Sequence, residues 1–204
     1  MYIPKNNRQS DKKQIVEFIQ RFSFGTIITV KNKVPIASHL PFLVTQTDKG
    51  KSLQSHFAKA NEQWKDIENT PVLVIFSEPH AYISPKHYEK DLNVPTWNYM
   101  SVHAYGQGQL ITEMENVSEL LERTIDTYEI EYKQQWNKLP QDFRTKMMHG
   151  IVAFEINMSE LQAKEKLSQN KTENERKKII ESLSKSNHSS ETLIATYMKG
   201  TLTE

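Results

Sequence analysis

The strongest limit on the fold is a series of β-rich segments interrupted by one short helix. Thr26-Ile27-Ile28-Thr29-Val30 opens the series, and Lys31-Asn32-Lys33 reads as a hairpin turn. The returning arm, Pro35 to Val44, carries Pro35 and Pro41, which suit edge positions or bulges. Ser52 to Phe57 is a further strand, and Lys59 to Ile67 a short helix with Trp64 and Ile67 on one side. Val72-Leu73-Val74-Ile75-Phe76 is the most apolar strand and is expected to be buried on both faces. Ala81 to Ser84, a long strand from Val94 to Ile111, and Ile151 to Met158 complete the set, with Pro85 to Asn93 a polar loop. Successive antiparallel strands of this kind predict a barrel rather than a doubly wound sheet.

Helices flank the strands. Ser10 or Asp11 can cap the first, with Ile15, Phe18, Ile19 and Phe22 at helical spacing. Asn116 and Glu119 resemble a capping box ahead of Val117, Leu120, Leu121, Thr124, Ile125 and Tyr128. Gln141 to His149 is a short helix ending at Gly150, after a loop containing Trp136 and Pro140. Beyond Ser159 the chain turns polar. Thr172 and Glu175 can open a helix carrying Ile179, Ile180 and Leu183, and a last helix near Ser190 to Lys199 stops at Gly200. The fold class is therefore α+β with a mainly β core: one domain over 1–160 and a helical extension over 161–204. That extension is expected to pack on the barrel or on a partner subunit.

Composition restricts the chemistry. The 204 residues carry a formal charge of +1, which gives no global pull toward nucleic acid or an anionic membrane. Cysteine is absent, which removes disulfides, thiolate nucleophiles and Cys-type metal sites. Redox chemistry would need a borrowed cofactor. No apolar run approaches a membrane span or a signal peptide, so a soluble, cytoplasmic protein is expected. His80, His87 and His103 match no compact ligand spacing, and no G-x-S-x-G is present, so neither a metal site nor a serine hydrolase is expected.

Val94 to Gly108 packs two tyrosines, a tryptophan, a histidine and an asparagine into one strand. Trp97, Tyr99, Ser101 and His103 share one face, and Asn98, Met100 and Val102 the other. Aromatic faces with amide and imidazole edges suit a flat, polar-rimmed heterocycle. The same rings would also serve an aromatic dimer interface.

Several motifs then occur in order. They are Met1-Tyr2-Ile3-Pro4, Ala37-Ser38-His39-Leu40-Pro41, His56-Phe57-Ala58-Lys59-Ala60-Asn61 and Pro79-His80-Ala81-Tyr82-Ile83-Ser84-Pro85. The aromatic strand, Gly150-Ile151-Val152-Ala153-Phe154-Glu155-Ile156 and Lys166-Leu167-Ser168-Gln169-Asn170 follow. Together, over residues 1–185, they resemble the PaiB family of FMN-binding negative transcriptional regulators, relatives of the pyridoxamine-phosphate-oxidase-like split barrels. One departure is Glu165, where the family leads one to expect an aromatic residue.

The resemblance implies a split β-barrel homodimer with FMN clefts at the subunit interface. It also implies repression of extracellular protease synthesis and sporulation genes, acting on promoter DNA or through a partner regulator. It makes Ser38, His39, His56, Lys59 and Asn61 candidates for the FMN phosphate region. A helix N-terminus with a lysine is itself a natural phosphate site. Trp97, Asn98, Tyr99 and His103 become candidates for the isoalloxazine ring, from the second subunit. Lys166, Ser168 and Gln169 become candidates for closing the cleft. A flavin-dependent oxidoreductase acting on a small molecule, or a dimeric interaction module without flavin, are the alternatives; a protease is not. The basic run Arg176-Lys177-Lys178 is interleaved with Glu173, Glu175 and Glu181, which reads as a solvated face rather than a DNA contact.

Overall fold

The computed structural model describes residues 1–47 and 50–202; Thr203 and Glu204 of the expected extension lie outside the described residues. Two compact units result. The central unit comprises Ile19–Ile75 and Ala104–Leu161. The terminal unit comprises Met1–Phe18, Phe76–His103 and the chain from Gln162 on.

Strands β2 (Phe24–Lys31) and β3 (Val34–Pro41) form the expected hairpin, with Lys31 opposite Val34. Asn32 and Lys33 make its two-residue turn at φ 53° and 65°. Positive φ at both positions is the type I′ geometry that matches strand twist. Strands β4 (Leu43–Thr47), β5 (Gly50–Ala58) and β6 (Pro71–Phe76) follow, then β8 (Thr96–Ile111) and β9 (Ile151–Lys166). The strand order is β3-β2-β6-β8-β9-β5-β4, so the path ends at β3 and β4 rather than closing. The pairings β2–β3, β2–β6, β4–β5 and β5–β9 are antiparallel. Both prolines of the returning arm sit in β3, a terminal strand of the path, where a missing N–H costs no ladder bond. Strand β6 buries Val72, Val74 and Phe76 but leaves Leu73 and Ile75 half-buried, so it is not buried equally on both faces as expected.

Aromatic packing fills the centre of this unit. Phe57 and Phe154 stack with centroids 4.8 Å apart, and Phe42 meets Phe154 edge-on at 6.3 Å. Helix α2 (Met114–Tyr128) turns Val117 and Leu120 against Leu43 and Ala153. It starts earlier than the capping-box reading predicts, because β8 runs to Ile111 and the chain turns at once. Glu113 is its N-cap, without a side-chain cap bond. Helix α3 (Tyr132–Lys138) replaces the expected loop and buries Trp136. Only two aromatics, Tyr132 and Trp136 at i,i+4 spacing, stand in this polar segment, too few to mark a helix by periodicity. Helix α4 (Gln141–His149) ends at Gly150 as expected.

In the terminal unit, Asp11 caps helix α1 (Lys12–Arg21), its Oδ1 accepting from the Lys13 amide at 2.8 Å. Strand β7 (His80–Ile83) pairs with the start of β8, Tyr82 opposite Trp97. The short β1 (Arg8–Gln9) pairs with the end of β9 at Lys164 and Ala163. That pairing explains why β9 continues to Lys166, past the expected end at Met158. The polar stretch Ser159–Lys166 has little apolar alternation of its own.

Helices α5 (Glu173–Ser184) and α6 (Ser189–Gly200) bury Ile179, Ile180, Leu183, Ile194, Ala195 and Met198. The capping box predicted at α5 is present. Glu175 N donates to Thr172 Oγ1 at 3.2 Å, and Thr172 N donates to Glu175 Oε2 at 3.1 Å. Glu175 Oε1 also accepts from the Glu89 amide at 3.0 Å, tying the 85–95 loop to α5. The Glu89 amide, and to a lesser extent the Thr172 amide, hold the Glu175 carboxyl below the usual carboxylate range.

Two consequences are measurable. A Cβ on Gly108 would lie 2.8 Å from both Cβ and O of Ile67. Gly108→Ala should therefore destabilise by about 1–3 kcal/mol in chemical denaturation. Glu175 contributes stability above its unfolded pKa that is lost as pH falls through its lowered folded pKa. Glu175→Gln should cost about 1 kcal/mol near neutral pH, and its deficit should shrink in acid.

Candidate functional site

The central unit assembles a compact polar network. Ser38 on β3 donates from Oγ to Gln63 Oε1 at 2.7 Å. Asn61 Nδ2 donates to Ser38 Oγ at 2.8 Å, and Asn61 Oδ1 accepts from the Gln63 amide at 3.1 Å. Gln63 is buried, and its Nε2 reaches the carbonyls of Ile36 at 3.1 Å and Ile27 at 3.3 Å. Each buried polar atom is thereby satisfied, and the β2–β3 hairpin is locked to the segment after β5. Gln63 was not singled out in the sequence, although it lies two residues beyond a motif that was.

The expected helix from Lys59 to Ile67 is a single 3-10 turn, Glu62–Lys65. Its cap is Asn61, so an amide that the helix-terminus argument left for a phosphate is already occupied. Lys59 stays exposed; its amide donates to the Gly150 carbonyl at 2.9 Å and its carbonyl accepts from Trp64 Nε1 at 3.2 Å. His39 is exposed and stacks on Phe24 at 6.4 Å and 23°. His56 on β5 is half-buried, and burial lowers its pKa.

In the terminal unit, β8 divides as its alternation predicts. Trp97 is 52% exposed, with the rings of Tyr82 and His80 each 5.9 Å away. The Tyr99 ring lies 4.9 Å from Lys164 Nζ, within cation–π range. His103 has its pKa lowered by burial and, secondarily, by the chain's amino terminus. Ser101 departs from the outer face: it is buried, and its Oγ donates to the Phe76 carbonyl at 3.1 Å.

The inner face leads elsewhere. Asn98 is wholly buried, with Nδ2 donating to Ser168 Oγ at 3.0 Å and to Met198 Sδ at 3.4 Å. Ser168 follows β9 at φ 60°, a left-handed backbone that turns the chain toward α5. Gln169 accepts from the Leu167 amide at 2.8 Å and closes that turn. Lys166 donates to Thr96 Oγ1. Burial lowers the Lys166 pKa, Tyr99 opposes this, and Lys164 adds to it. Asn98, Lys166, Ser168 and Gln169 all line one cavity of about 500 Å³. Its wall also includes Lys5, Tyr88, Asn93, Thr96 and Lys171, none of which the sequence reading picked out.

The twelve predicted residues thus form two sets. Ser38, His39, His56, Lys59 and Asn61 belong to the central unit; Trp97, Asn98, Tyr99, His103, Lys166, Ser168 and Gln169 belong to the terminal unit. Two members of the basic run on α5, and Lys185 after it, have local partners. Lys177 pairs with Glu173, Lys185 with Glu181, and Arg176 donates to Thr201. Among the described residues no helix is long and apolar enough to cross a membrane.

Taken by itself, the central unit offers hydroxyl and amide groups on β3 and beyond β5 with an exposed lysine two residues before Asn61, donor types that suit a phosphate ester. The terminal unit, by itself, offers flat rings on β8. Residues 1–160 match a family described as "Putative FMN-binding domain". The "Protease synthase and sporulation protein PAI 2" of Bacillus subtilis is 39% identical over 186 residues, covering 90% of this chain and 89% of that protein. Among solved structures, the flavocytochrome Anf3 from Azotobacter vinelandii matches with a TM-score of 0.65 at 16% identity, over 80% of this chain and 72% of that one. The FAD and heme binding protein from Mycobacterium smegmatis gives 0.63 at 11% identity, over 78% and 73%. These structures show the fold, an α+β split-barrel class with helices around a mainly β core.

The Ser38–Asn61–Gln63 network makes its own prediction. Gln63→Ala removes the acceptor of the Ser38 hydroxyl and the donor to two carbonyls, while the Asn61 bond to the Gln63 backbone amide remains. It should lower stability by about 1–3 kcal/mol in thermal or denaturant unfolding, whereas exposed Lys59→Ala should stay within about 0.5 kcal/mol.

Proposed function

This chain belongs to the PaiB family of FMN-binding split-barrel proteins, and on that premise we propose that it is a flavin-responsive negative regulator of genes for extracellular protease synthesis and sporulation. The name of the Bacillus subtilis relative, "Protease synthase and sporulation protein PAI 2", 39% identical to this chain, supports the link to protease synthesis and sporulation; the repressing direction rests on the family resemblance. The observation that carries flavin binding to particular residues is the Ser38–Asn61–Gln63 network, flanked in sequence by exposed His39 and Lys59. A pre-formed network of this kind fixes hydrogen-bonding atoms before a ligand arrives, which reduces the ordering cost of binding.

In this reading Lys59 attracts the phosphate, while Ser38, His39, His56 and Asn61 orient the adjoining polar groups. Trp97, Tyr99 and His103 present their faces to the ring from a second copy of the chain in a homodimer. Asn98, Lys166, Ser168 and Gln169 act from the terminal cavity. Bound FMN supplies one- or two-electron redox chemistry that the cysteine-free chain lacks. The ion pairs along α5 favour repression through a partner regulator over a broad phosphate contact by that helix.

Titration of FMN, followed by flavin fluorescence, tests the reading. Wild type should bind about one FMN per chain, and Lys59→Ala should bind about tenfold more weakly. Unchanged affinity would remove Lys59 from the site. Reduction of the bound flavin by NADH or NADPH with turnover of a small substrate would favour an oxidoreductase instead. A promoter mobility shift that survives physiological salt would replace the partner route with direct DNA binding.

A further inference from the structure

The cavity of the terminal unit holds two lysines, Lys5 and Lys171, that the flavin reading does not use. Its wall holds Lys5, Lys166 and Lys171, several carboxamides, and the hydroxyls of Thr96 and Ser168, and it holds no carboxylate. None of the three lysines makes an ion pair among the described residues. Lys166 donates to Thr96 and Lys171 to Asn93 Oδ1 at 2.9 Å, both neutral acceptors. Glu175, which interacts with Lys171, is committed to the Glu89 and Thr172 amides. Lys171 also feels the Glu175 carboxylate, which is not part of the wall, and the wall keeps a net positive charge that an anion complements. Burial lowers the Lys166 pKa, and Lys164, outside the wall, adds to it.

The wall is also built to stay open. Asn98 and Ser168 hydrogen-bond each other at 3.0–3.1 Å on the buried side. Lys171 Nζ lies 3.6 Å from the centre of the Tyr88 ring, another wall residue. The Tyr88 hydroxyl is buried without a hydrogen-bond partner. A volume of about 500 Å³ lies within the range of small-molecule sites.

We propose that this cavity is a binding site for a phosphorylated small molecule, with Lys5, Lys166 and Lys171 receiving the phosphate and the carboxamides reading the remainder of the ligand. Lysine ammonium groups act as point charges, and three of them around one cavity suit the higher charge of a phosphate over the single charge of a carboxylate. The site lies within the terminal unit; it shares Asn98, Lys166, Ser168 and Gln169 with the flavin reading and adds Lys5 and Lys171, and titration of the FMN-saturated chain separates an effector site from the flavin site. A ligand there would act on the 85–95 loop and on α5, which meet at Lys171 and Glu175.

The test is a thermal-shift titration of the full chain, saturated with FMN, using inorganic phosphate as the probe and acetate and chloride at matched ionic strength as controls. Phosphate should raise the melting temperature saturably. Lys166→Ala and Lys5→Ala should each weaken its apparent affinity about tenfold, and Lys59→Ala should leave it unchanged. Lys5 is exposed, so its variant reads binding even if Lys166→Ala impairs folding. Equal shifts with acetate or chloride, or a phosphate shift indifferent to both lysine variants, would overturn the proposal. Loss of the phosphate shift in proportion to FMN bound would also overturn it, by making the cavity the flavin site itself. A protein that binds no FMN but keeps a Lys166-dependent phosphate shift would sink the flavin reading and support this one.

Discussion

The period-two alternation of two sixteen-residue strands, β8 and β9, is the constraint on which the rest depends. Each contributes residues to both units. Along β8 the even positions Asn98, Met100, Val102, Ala104, Gly106 and Gly108 are buried, and a slip by one residue would turn them all outward. The series shrinks from amide and thioether to glycine as neighbouring chains close in. A Cβ at Gly106 would collide with the Asn157 carbonyl, and one at Gly108 with Ile67. The alternation therefore sets both the register of the sheet and which rings remain outside it.

Polar groups show the same economy. In the central unit Gln63 satisfies two carbonyls while holding Ser38 and Asn61 in place. In the terminal unit the exposed charges of α5 pair at i, i+4 spacing. Against that background of locally paired charge, three lysines around one carboxylate-free cavity, two of them bonded to neutral acceptors, mark a place suited to an anion.

Much of this was legible in the sequence because it rests on local chemistry. The β2–β3 turn, the Asp11 cap, the Thr172–Glu175 box and the Gly150 stop each need only a few adjacent residues. What escaped depends on distant partners. Helix α3 has two aromatics, Tyr132 and Trp136, and is fixed by burial of Trp136. The second half of β9 is polar and exists as strand where β1 pairs with it at Ala163 and Lys164. Asn116 resembles a cap by residue type and its spacing to Glu119, yet α2 begins at Met114 with Glu113 as its N-cap. At the candidate site, motif residues such as Ser38 and Asn61 were readable, but Gln63, Tyr88 and Lys171 gain meaning only from what folds against them.

The central claim is that the chain carries FMN, and the absorbance spectrum of freshly purified protein addresses it most directly, followed by release and identification of the chromophore. The account predicts flavin bands near 370 and 450 nm, or their appearance on stoichiometric addition of FMN, about one per chain. A colourless protein that stays colourless after incubation with FMN and gel filtration would contradict it.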